Sequence, residues 1–207
     1  MFDLVQPSEE DLVVTLGDYV DRGPDSKGVI DRLLELKKTH RFIHLMGNHE
    51  IQMIRALETK VDCQRFLSEM CGGKDTLASY GGGFEDVPEA HWDFMRSTEL
   101  YHEVGDFILV HAGVEAGIAV GDQDSETYYY QRFHSQRAHQ SGKTVVCGHT
   151  IQGDFPTDLG YAICLDTCGY GGGWLSALDL DSGKIWQTNE RGESREMHRD
   201  DLAFSTN

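Results

Sequence analysis

Residues 12–23, LVVTLGDYVDRG, are the stretch that decides the fold. The first five are apolar or β-branched, which predicts a short buried strand that ends at Gly17. Asp18, Asp21 and Arg22 follow at once, and glycines bracket them. Charges this close together are costly to hold without a counter-ion. The stretch therefore predicts an α/β fold with a ligand at the carboxyl edge of its sheet, where open α/β sheets bind ligands.

Three further apolar segments end in polar residues beside glycine, and these ends are GNHE at 47–50, HAGV at 111–114 and GHT at 148–150. Because strand ends share the ligand-binding edge of such a sheet, the four segments predict one mixed set of oxygen and nitrogen ligands: Asp18, Asn48, His111 and His149. This set favours a borderline divalent cation such as Mn, Fe or Zn, since a calcium cage would use oxygen alone. The sequence thus predicts a metal site.

The helices follow the first two strands. Asp25 and Ser26 are the alternative N-caps of the first helix, and helix resumes from Ile51 to about Leu57. Residues 58–100 have glycine breakers between short helical patterns, so we expect a helical and loop insertion there.

The remaining chain is predicted to hold further strands and an irregular end. Segments 161–165 and 174–178 are expected to pair across a glycine-rich turn. From about residue 188 to 207 the apolar pattern fades into a charged sequence, which predicts a poorly ordered tail. A length of 207 residues fits a single domain over 1–207.

Composition excludes several classes of partner. The chain has 18 basic and 35 acidic residues, a net charge of −17, which argues against nucleic acid or an anionic membrane as the partner. A phosphate-bearing substrate is still compatible, because a bound metal inverts the local charge. The five cysteines show no CxxC spacing, so we expect reduced thiols in a cytoplasmic protein.

The pair GDYVDRG and GNHE is highly specific, and with it the sequence resembles the metallophosphoesterases over about Met1 to Leu178. Within them it is most similar to the bacterial phosphoprotein phosphatases. The resemblance implies a calcineurin-like α/β fold, in which two mixed β-sheets pack as a sandwich flanked by helices. It also implies two divalent metal ions, for which manganese is expected and iron or zinc is an alternative.

The resemblance assigns a role to each motif residue. Asp18 would bridge both metals, and Asn48, His111 and His149 would complete the second metal's ligands. His49 would be the general acid, oriented by Asp21, while a metal-bridging hydroxide attacks phosphorus in line. The residues expected to bind the phosphate are Arg22 and, upstream of the GHT motif, Arg132, with Arg137 as the weaker alternative.

One motif of the family has no match. The family opens with a strand ending in Gly-Asp-x-His-Gly, whose Asp and His ligate the first metal, but no histidine here follows an Asp by two positions. The chain thus begins about one βα unit late relative to the family pattern, and its first metal site is incomplete, with only Asp18 as a ligand. Two explanations for the missing motif are open. Either the start codon was assigned at an internal methionine or the gene is fragmentary, or the protein is a shortened, degenerate paralogue.

Three functions follow from these observations. The first is hydrolysis of phosphomonoesters, with phosphoserine or phosphothreonine in proteins as the expected substrate. The second is a symmetrical dinucleoside tetraphosphate hydrolase, whose relatives usually carry Asp after the Asn-His pair, where this chain has Glu50. The third is a non-catalytic module that binds phosphate and metal. Glu50 favours the first.

Overall fold

The computed structural model describes residues 1–202, and the chain divides into two compact units. The N-terminal unit is Ser8–Leu100, and the C-terminal unit combines Met1–Pro7 with Tyr101–Asn207. Helices and three separate sheets confirm the predicted α/β class. Among the described residues, no helix has both the length and the apolar character needed to cross a bilayer.

The N-terminal unit opens with a βαβ unit. Strand β1 (Leu12–Thr15) pairs in parallel with β2 (Arg41–His44), and helix α2 (Ser26–Thr39) connects them. Of the two predicted N-caps, Asp25 is the cap, because its carboxylate accepts the Gly28 N–H at 2.9 Å. The connection places the loop after β1 and the loop after β2 at the same edge of the sheet.

The rest of this unit is helical: α3 (Asn48–Arg55), α4 (Lys60–Phe66), α5 (Gly73–Tyr80) and α6 (Glu89–Arg96). Helix α3 begins at Asn48 and not at the predicted Ile51. Gly47 is its N-cap, and the Glu50 side chain accepts the Gly47 N–H at 3.0 Å, which satisfies an amide that precedes the helix. The GNHE motif is therefore the first turn of a helix.

The C-terminal unit has helices α1 (Phe2–Val5) and α7 (Ser125–Tyr130) and a five-stranded sheet in the order β3-β4-β5-β7-β6. Its strands are β3 (Tyr101–Val104), β4 (Phe107–Val110), β5 (Thr144–Cys147), β6 (Thr157–Asp158) and β7 (Ala162–Cys164). Strands β4, β5 and β7 are parallel, and the two edge strands are antiparallel. Because β4 and β5 are parallel neighbours, the residues that follow them share one edge.

The predicted pairing of 161–165 with 174–178 is wrong. Strand β7 pairs with β5 and β6, whereas β8 (Leu175–Leu178) belongs to a separate three-stranded sheet. Cys168 has a left-handed backbone and a short 3₁₀ helix, Gly169–Gly171, follows it, so the chain turns away from β7 before β8 begins. The two sides of this turn are joined by isolated bridges at Trp174 and by the Thr167 hydroxyl, which lies 2.7 Å from Oγ of Ser176.

The predicted poorly ordered tail also differs from the structure. Strand β9 (Lys184–Thr188) pairs with β10 (Ser194–His198), and residues 203–207 lie outside the described residues. Strand β10 is polar, so its sequence gives little strand signal. Its Arg195 guanidinium instead stacks over the rings of Phe155 and Trp174, 4.1 Å from each centroid. These cation–π contacts supply the packing that apolar side chains provide in other strands.

Candidate active site

The loop after β1 has an unusual backbone. Asp18, Asp21 and Arg22 have φ angles of 59°, 76° and 64°, in the left-handed region that non-glycine residues seldom adopt. Such conformations are costly and persist only where the surrounding structure holds them, as happens at functional sites. The loop therefore needs strong restraints from its neighbours.

Glu50 supplies one restraint. Its buried carboxylate accepts the backbone N–H groups of Asp18 at 2.8 Å, Tyr19 at 2.6 Å and Val20 at 3.2 Å, besides that of Gly47. Burial and the nearby charge of Asp18 raise the pKa of Glu50 to about 7. Glu50 thus ties the loop to α3, a role that sequence reasoning missed. The spacing from Gly47 to Glu50, which matches a capping box, was the available signal.

Gly47 allows the loop and α3 to approach closely. A Cβ atom at this position would lie 2.4 Å from both the backbone nitrogen and Oδ1 of Asp18. The His49 N–H donates to the same Oδ1 at 3.3 Å. The structure therefore brings Asp18 against the first turn of α3, which also carries Asn48, as the sequence predicted for these two strand ends.

His49 and Asp21 form a buried pair. Nδ1 of His49 lies 2.6 Å from Oδ2 of Asp21, so this nitrogen carries the hydrogen and donates it to the carboxylate. Burial lowers the pKa of His49, but the hydrogen bonds with Asp21 and Cys71 and the nearby carboxylates outweigh it and raise the pKa to about 10. The pair has the geometry of an imidazole oriented by a carboxylate.

Two residues that the sequence did not single out complete this network. The buried Thr76 hydroxyl donates to Oδ1 of Asp21 at 2.7 Å and accepts the Asp21 N–H at 2.7 Å. Sγ of Cys71 lies 3.3 Å from Oδ2 of Asp21 and 4.0 Å from Nδ1 of His49. Both come from the 58–100 segment, and no spacing or motif links them to the GDYVDRG loop.

Arg22 extends from the same loop and is exposed. Its Nη2 donates to the Met70 carbonyl at 3.3 Å. Gly72 fits beneath it, because a Cβ there would lie 2.7 Å from the Arg22 nitrogen, and the Gly72 φ of +90° disfavours other residues. The guanidinium is therefore supported by the segment before α5 and accessible to solvent.

The C-terminal unit brings His111 and His149 together. They follow the parallel neighbours β4 and β5, and their ring centroids lie 5.2 Å apart. The Gly148 N–H donates to the His111 carbonyl at 2.8 Å, and His149 adopts a φ of 61°. Two imidazoles this close, from adjacent strand ends, are a suitable donor pair for a transition-metal ion.

Arg132 and Arg137 line a cavity of 720 Å³ in this unit, together with Tyr130 and Gln131 among others. The Arg137 guanidinium is hydrogen-bonded to the backbone, since its Nη1 donates to the Gln136 carbonyl at 2.8 Å. Among residues 1–202, the Arg132 side chain makes no hydrogen bond or ion pair. Of the two guanidinium groups, that of Arg137 is thus the one held by the backbone among residues 1–202.

The sequence profile of the calcineurin-like phosphoesterase family matches residues 1–161. The chain belongs to this family, so the metallophosphoesterase resemblance and the calcineurin-like fold class are confirmed. A solved protein-tyrosine phosphatase of a psychrophilic Shewanella has a similar fold, with a TM-score of 0.61 over 90% of this chain and 69% of that chain. Its sequence identity is 16%, so the likeness concerns the fold alone.

Two similar proteins are both named as symmetrical bis(5'-nucleosyl)-tetraphosphatases. The one from Nitrosospira multiformis is 31% identical over 117 residues, which are 55% of this chain and 38% of that protein. The one from Ralstonia nicotianae is 33% identical over 107 residues, 52% of this chain and 34% of that protein. The match thus covers less than two fifths of the length of either relative.

Members of the family generally bind two divalent metals, and the donor set of this chain fits such ions. In the C-terminal unit the imidazoles of His111 and His149, and in the N-terminal unit the carboxylate of Asp18 and the amide of Asn48, are donor types that suit a borderline transition metal better than calcium. The convergence of the two imidazoles in the C-terminal unit and the close approach of Asp18 to α3 agree with this chemistry.

Proposed function

We propose that this chain hydrolyses phosphoesters with bound divalent metals, and that symmetrical dinucleoside tetraphosphates are its substrate class. The observation that carries the catalytic part is the buried His49–Asp21 pair, with 2.6 Å between Nδ1 and Oδ2. A charged pair that is buried and held by further hydrogen bonds is costly for a purely structural role. The same cost argues against the third function, a non-catalytic module that binds phosphate and metal.

We propose Asp18, Asn48, His111 and His149 as metal ligands, with manganese as the first ion to test. When bound, the metals neutralise charge on the phosphoryl group and favour attack by water. Arg22 and Arg132 are proposed to bind phosphate oxygens through their planar guanidinium groups. Arg132 is preferred over Arg137 because its guanidinium makes no bond within the described part of the chain.

We propose that His49 donates a proton from Nε2 to the leaving oxygen. Asp21 accepts the hydrogen bond from Nδ1, which fixes the ring orientation and stabilises the protonated imidazole. Thr76 holds the other carboxylate oxygen, so the carboxylate keeps its position as the proton moves.

Two observations support the dinucleotide substrate. The similar proteins from Nitrosospira multiformis and Ralstonia nicotianae are named for this activity. The open pocket beside Arg132 measures 720 Å³, a volume within the range of about 300–1,000 Å³ typical of small-molecule sites.

A protein phosphatase is the second candidate. The sequence favours phosphoserine or phosphothreonine because of Glu50, and these relatives do not support that substrate. The structure explains why a glutamate stands at position 50, since its carboxylate accepts four backbone N–H groups on two segments. An aspartate is one methylene shorter and would not span the same donors without movement of the loop.

The substrate is tested by comparing kcat/KM for diadenosine tetraphosphate and a phosphoserine peptide in the presence of Mn²⁺. We expect the dinucleotide to be the better substrate and Arg132→Ala to raise its KM, with Arg137→Ala as the matched control. Faster hydrolysis of the phosphopeptide would favour the second candidate. Binding of metal and phosphate without turnover of either substrate would contradict the catalytic proposal.

We also propose a cytoplasmic location. All five cysteines lie within the described residues and are free thiols, which supports a reducing compartment.

A further inference from the structure

Three potential ligand atoms of the N-terminal unit converge at the His49–Asp21 pair. They are Oδ2 of Asp21, Nδ1 of His49 and Sγ of Cys71, and all lie within 4.8 Å of one another. We propose that Asp21, His49 and Cys71 form an inhibitory zinc site, different from the residues proposed for the catalytic metals. The residues are buried and come from three segments of this unit, the loop after β1, the helix α3 and the chain before α5.

The distances fit a tetrahedral ion after a small adjustment. With Zn–S and Zn–N bonds of about 2.3 and 2.0 Å, neighbouring ligand atoms of a tetrahedral site lie about 3.2–3.7 Å apart. The three pairs here measure 2.6 Å for N–O, 3.3 Å for S–O and 4.0 Å for S–N. The S–O pair lies in the required range, whereas the N–O pair must open and the S–N pair must close, each by less than one ångström.

A fourth ligand is close by. Oε1 of Gln52, on α3, lies 3.4 Å from Sγ of Cys71 and can complete the set, as can a water molecule. Thiolate, imidazole and carboxylate are each ligand types that zinc binds in proteins.

Sulfur makes the site selective. Thiolate ligands favour zinc over hard ions such as Mn²⁺ and Mg²⁺, and the affinity of mixed sites rises from Mn²⁺ through Co²⁺ towards Zn²⁺. When the chain is loaded with Mn²⁺, this site therefore stays empty and can bind zinc. Co²⁺ can take the place of zinc as a spectroscopic probe.

Zinc binding would change the protonation and the hydrogen bonding of the His49–Asp21 pair. The thiol proton of Cys71 and the Nδ1 proton of His49 are released to solvent as the Zn–S and Zn–N bonds form. The bond between Nδ1 and the Asp21 carboxylate is then lost, and with it the support for a protonated ring. The inhibitory consequence rests on the function proposed above, whereas the binding itself does not.

Binding is tested by adding Co²⁺ to the manganese-loaded chain and recording the near-ultraviolet absorption of a cobalt–thiolate bond. We expect the band in the wild type and in Cys63→Ser, and its loss in Cys71→Ser and in Cys71→Ala. The proposed catalytic ligands contain no sulfur, so they cannot produce this band. A wild type without the band, or a band that persists in both Cys71 variants, overturns the proposal whatever the chain's activity.

Inhibition is tested by titrating Zn²⁺ into the Mn²⁺-dependent hydrolysis of p-nitrophenyl phosphate. Because loss of a residue that only supports a metal ligand already weakens metal binding about 10–100-fold, removal of Sγ should raise the inhibitory zinc concentration at least about tenfold. Cys63→Ser should match the wild type. Equal inhibition of the wild type and Cys71→Ser contradicts the inhibitory role, and a cobalt band without any hydrolysis contradicts the proposed function but leaves the metal site standing.

Discussion

Thr76 contacts Asp21 at both its main chain and its side chain. Its hydroxyl accepts the Asp21 N–H and donates to Oδ1, at 2.7 Å in each case. One buried hydroxyl on α5 thus fixes both the left-handed backbone of Asp21 and the carboxylate that orients His49. The segment 58–100 therefore carries a positioning residue of the proposed catalytic pair.

Replacement of Thr76 by valine removes this hydroxyl and keeps the shape of the side chain. We expect a lower kcat with little change in KM, and a loss of about 1–3 kcal/mol in the free energy of unfolding. The buried Asp21 N–H loses its closer acceptor and keeps Ser26 Oγ at 3.2 Å, while Oδ1 of Asp21 loses the hydroxyl that donates to it. Steady-state kinetics and urea denaturation measure the two effects. Thr76→Ser keeps the hydroxyl and should restore both, and a valine variant with wild-type kcat would show that Thr76 does not position Asp21.

Gly47 and Gly148 both precede a proposed metal ligand, but only the first is sterically required. A Cβ at Gly47 would lie 2.4 Å from Asp18, whereas one at Gly148 would meet only the His111 carbonyl, at 3.6 Å. Gly47→Ala should cost about 1–3 kcal/mol of stability through overpacking and weaken metal binding, and Gly148→Ala should change stability little. Thermal unfolding and metal titration measure this contrast, and equal effects of the two substitutions would argue against it.

His44 links stability to pH. Burial, with the charge of Lys37, lowers its pKa, and its Nε2 lies 3.0 Å from the Phe94 carbonyl. The unfolded chain then binds more protons than the folded one, so the stability contributed by neutral His44 is complete above its ordinary pKa of 6.5 and is lost as the pH falls below it. Unfolding free energies at pH 7 and 5 should differ more in the wild type than in His44→Gln. Parallel pH profiles would contradict this linkage.

The sequence predicted those parts of the site that are contiguous and follow apolar strands. Asp18 lies against the first turn of α3, which carries Asn48, because β1 and β2 are parallel neighbours. His111 and His149 meet for the same reason in β4 and β5. Strand ends of this kind can be recognised from the apolar pattern and the glycines alone.

The rest could not be predicted because it depends on tertiary contacts. Cys71 and Thr76 reach Asp21 from 50 and 55 positions away, and neither spacing nor residue type marks them. Strand β10 was missed for a related reason, since Arg195 packs through its guanidinium and leaves no apolar pattern. The start of α3 at Asn48 depends on the Glu50 side chain, which accepts the Gly47 N–H before the helix, and the apolar pattern does not reveal this cap.

Protonation of the leaving group by His49 is the step on which the proposed catalysis depends. Its most direct test compares the wild type and His49→Asn on phenyl phosphate and on p-nitrophenyl phosphate, with Mn²⁺ and after removal of metal by a chelator. General acid catalysis contributes about 10²–10⁴-fold, and the need for it is greatest when the leaving group is poor. We expect metal-dependent hydrolysis that falls by this factor in His49→Asn on phenyl phosphate and by much less on p-nitrophenyl phosphate. An equal loss on both substrates, or no loss on either, would contradict the role of His49 as general acid.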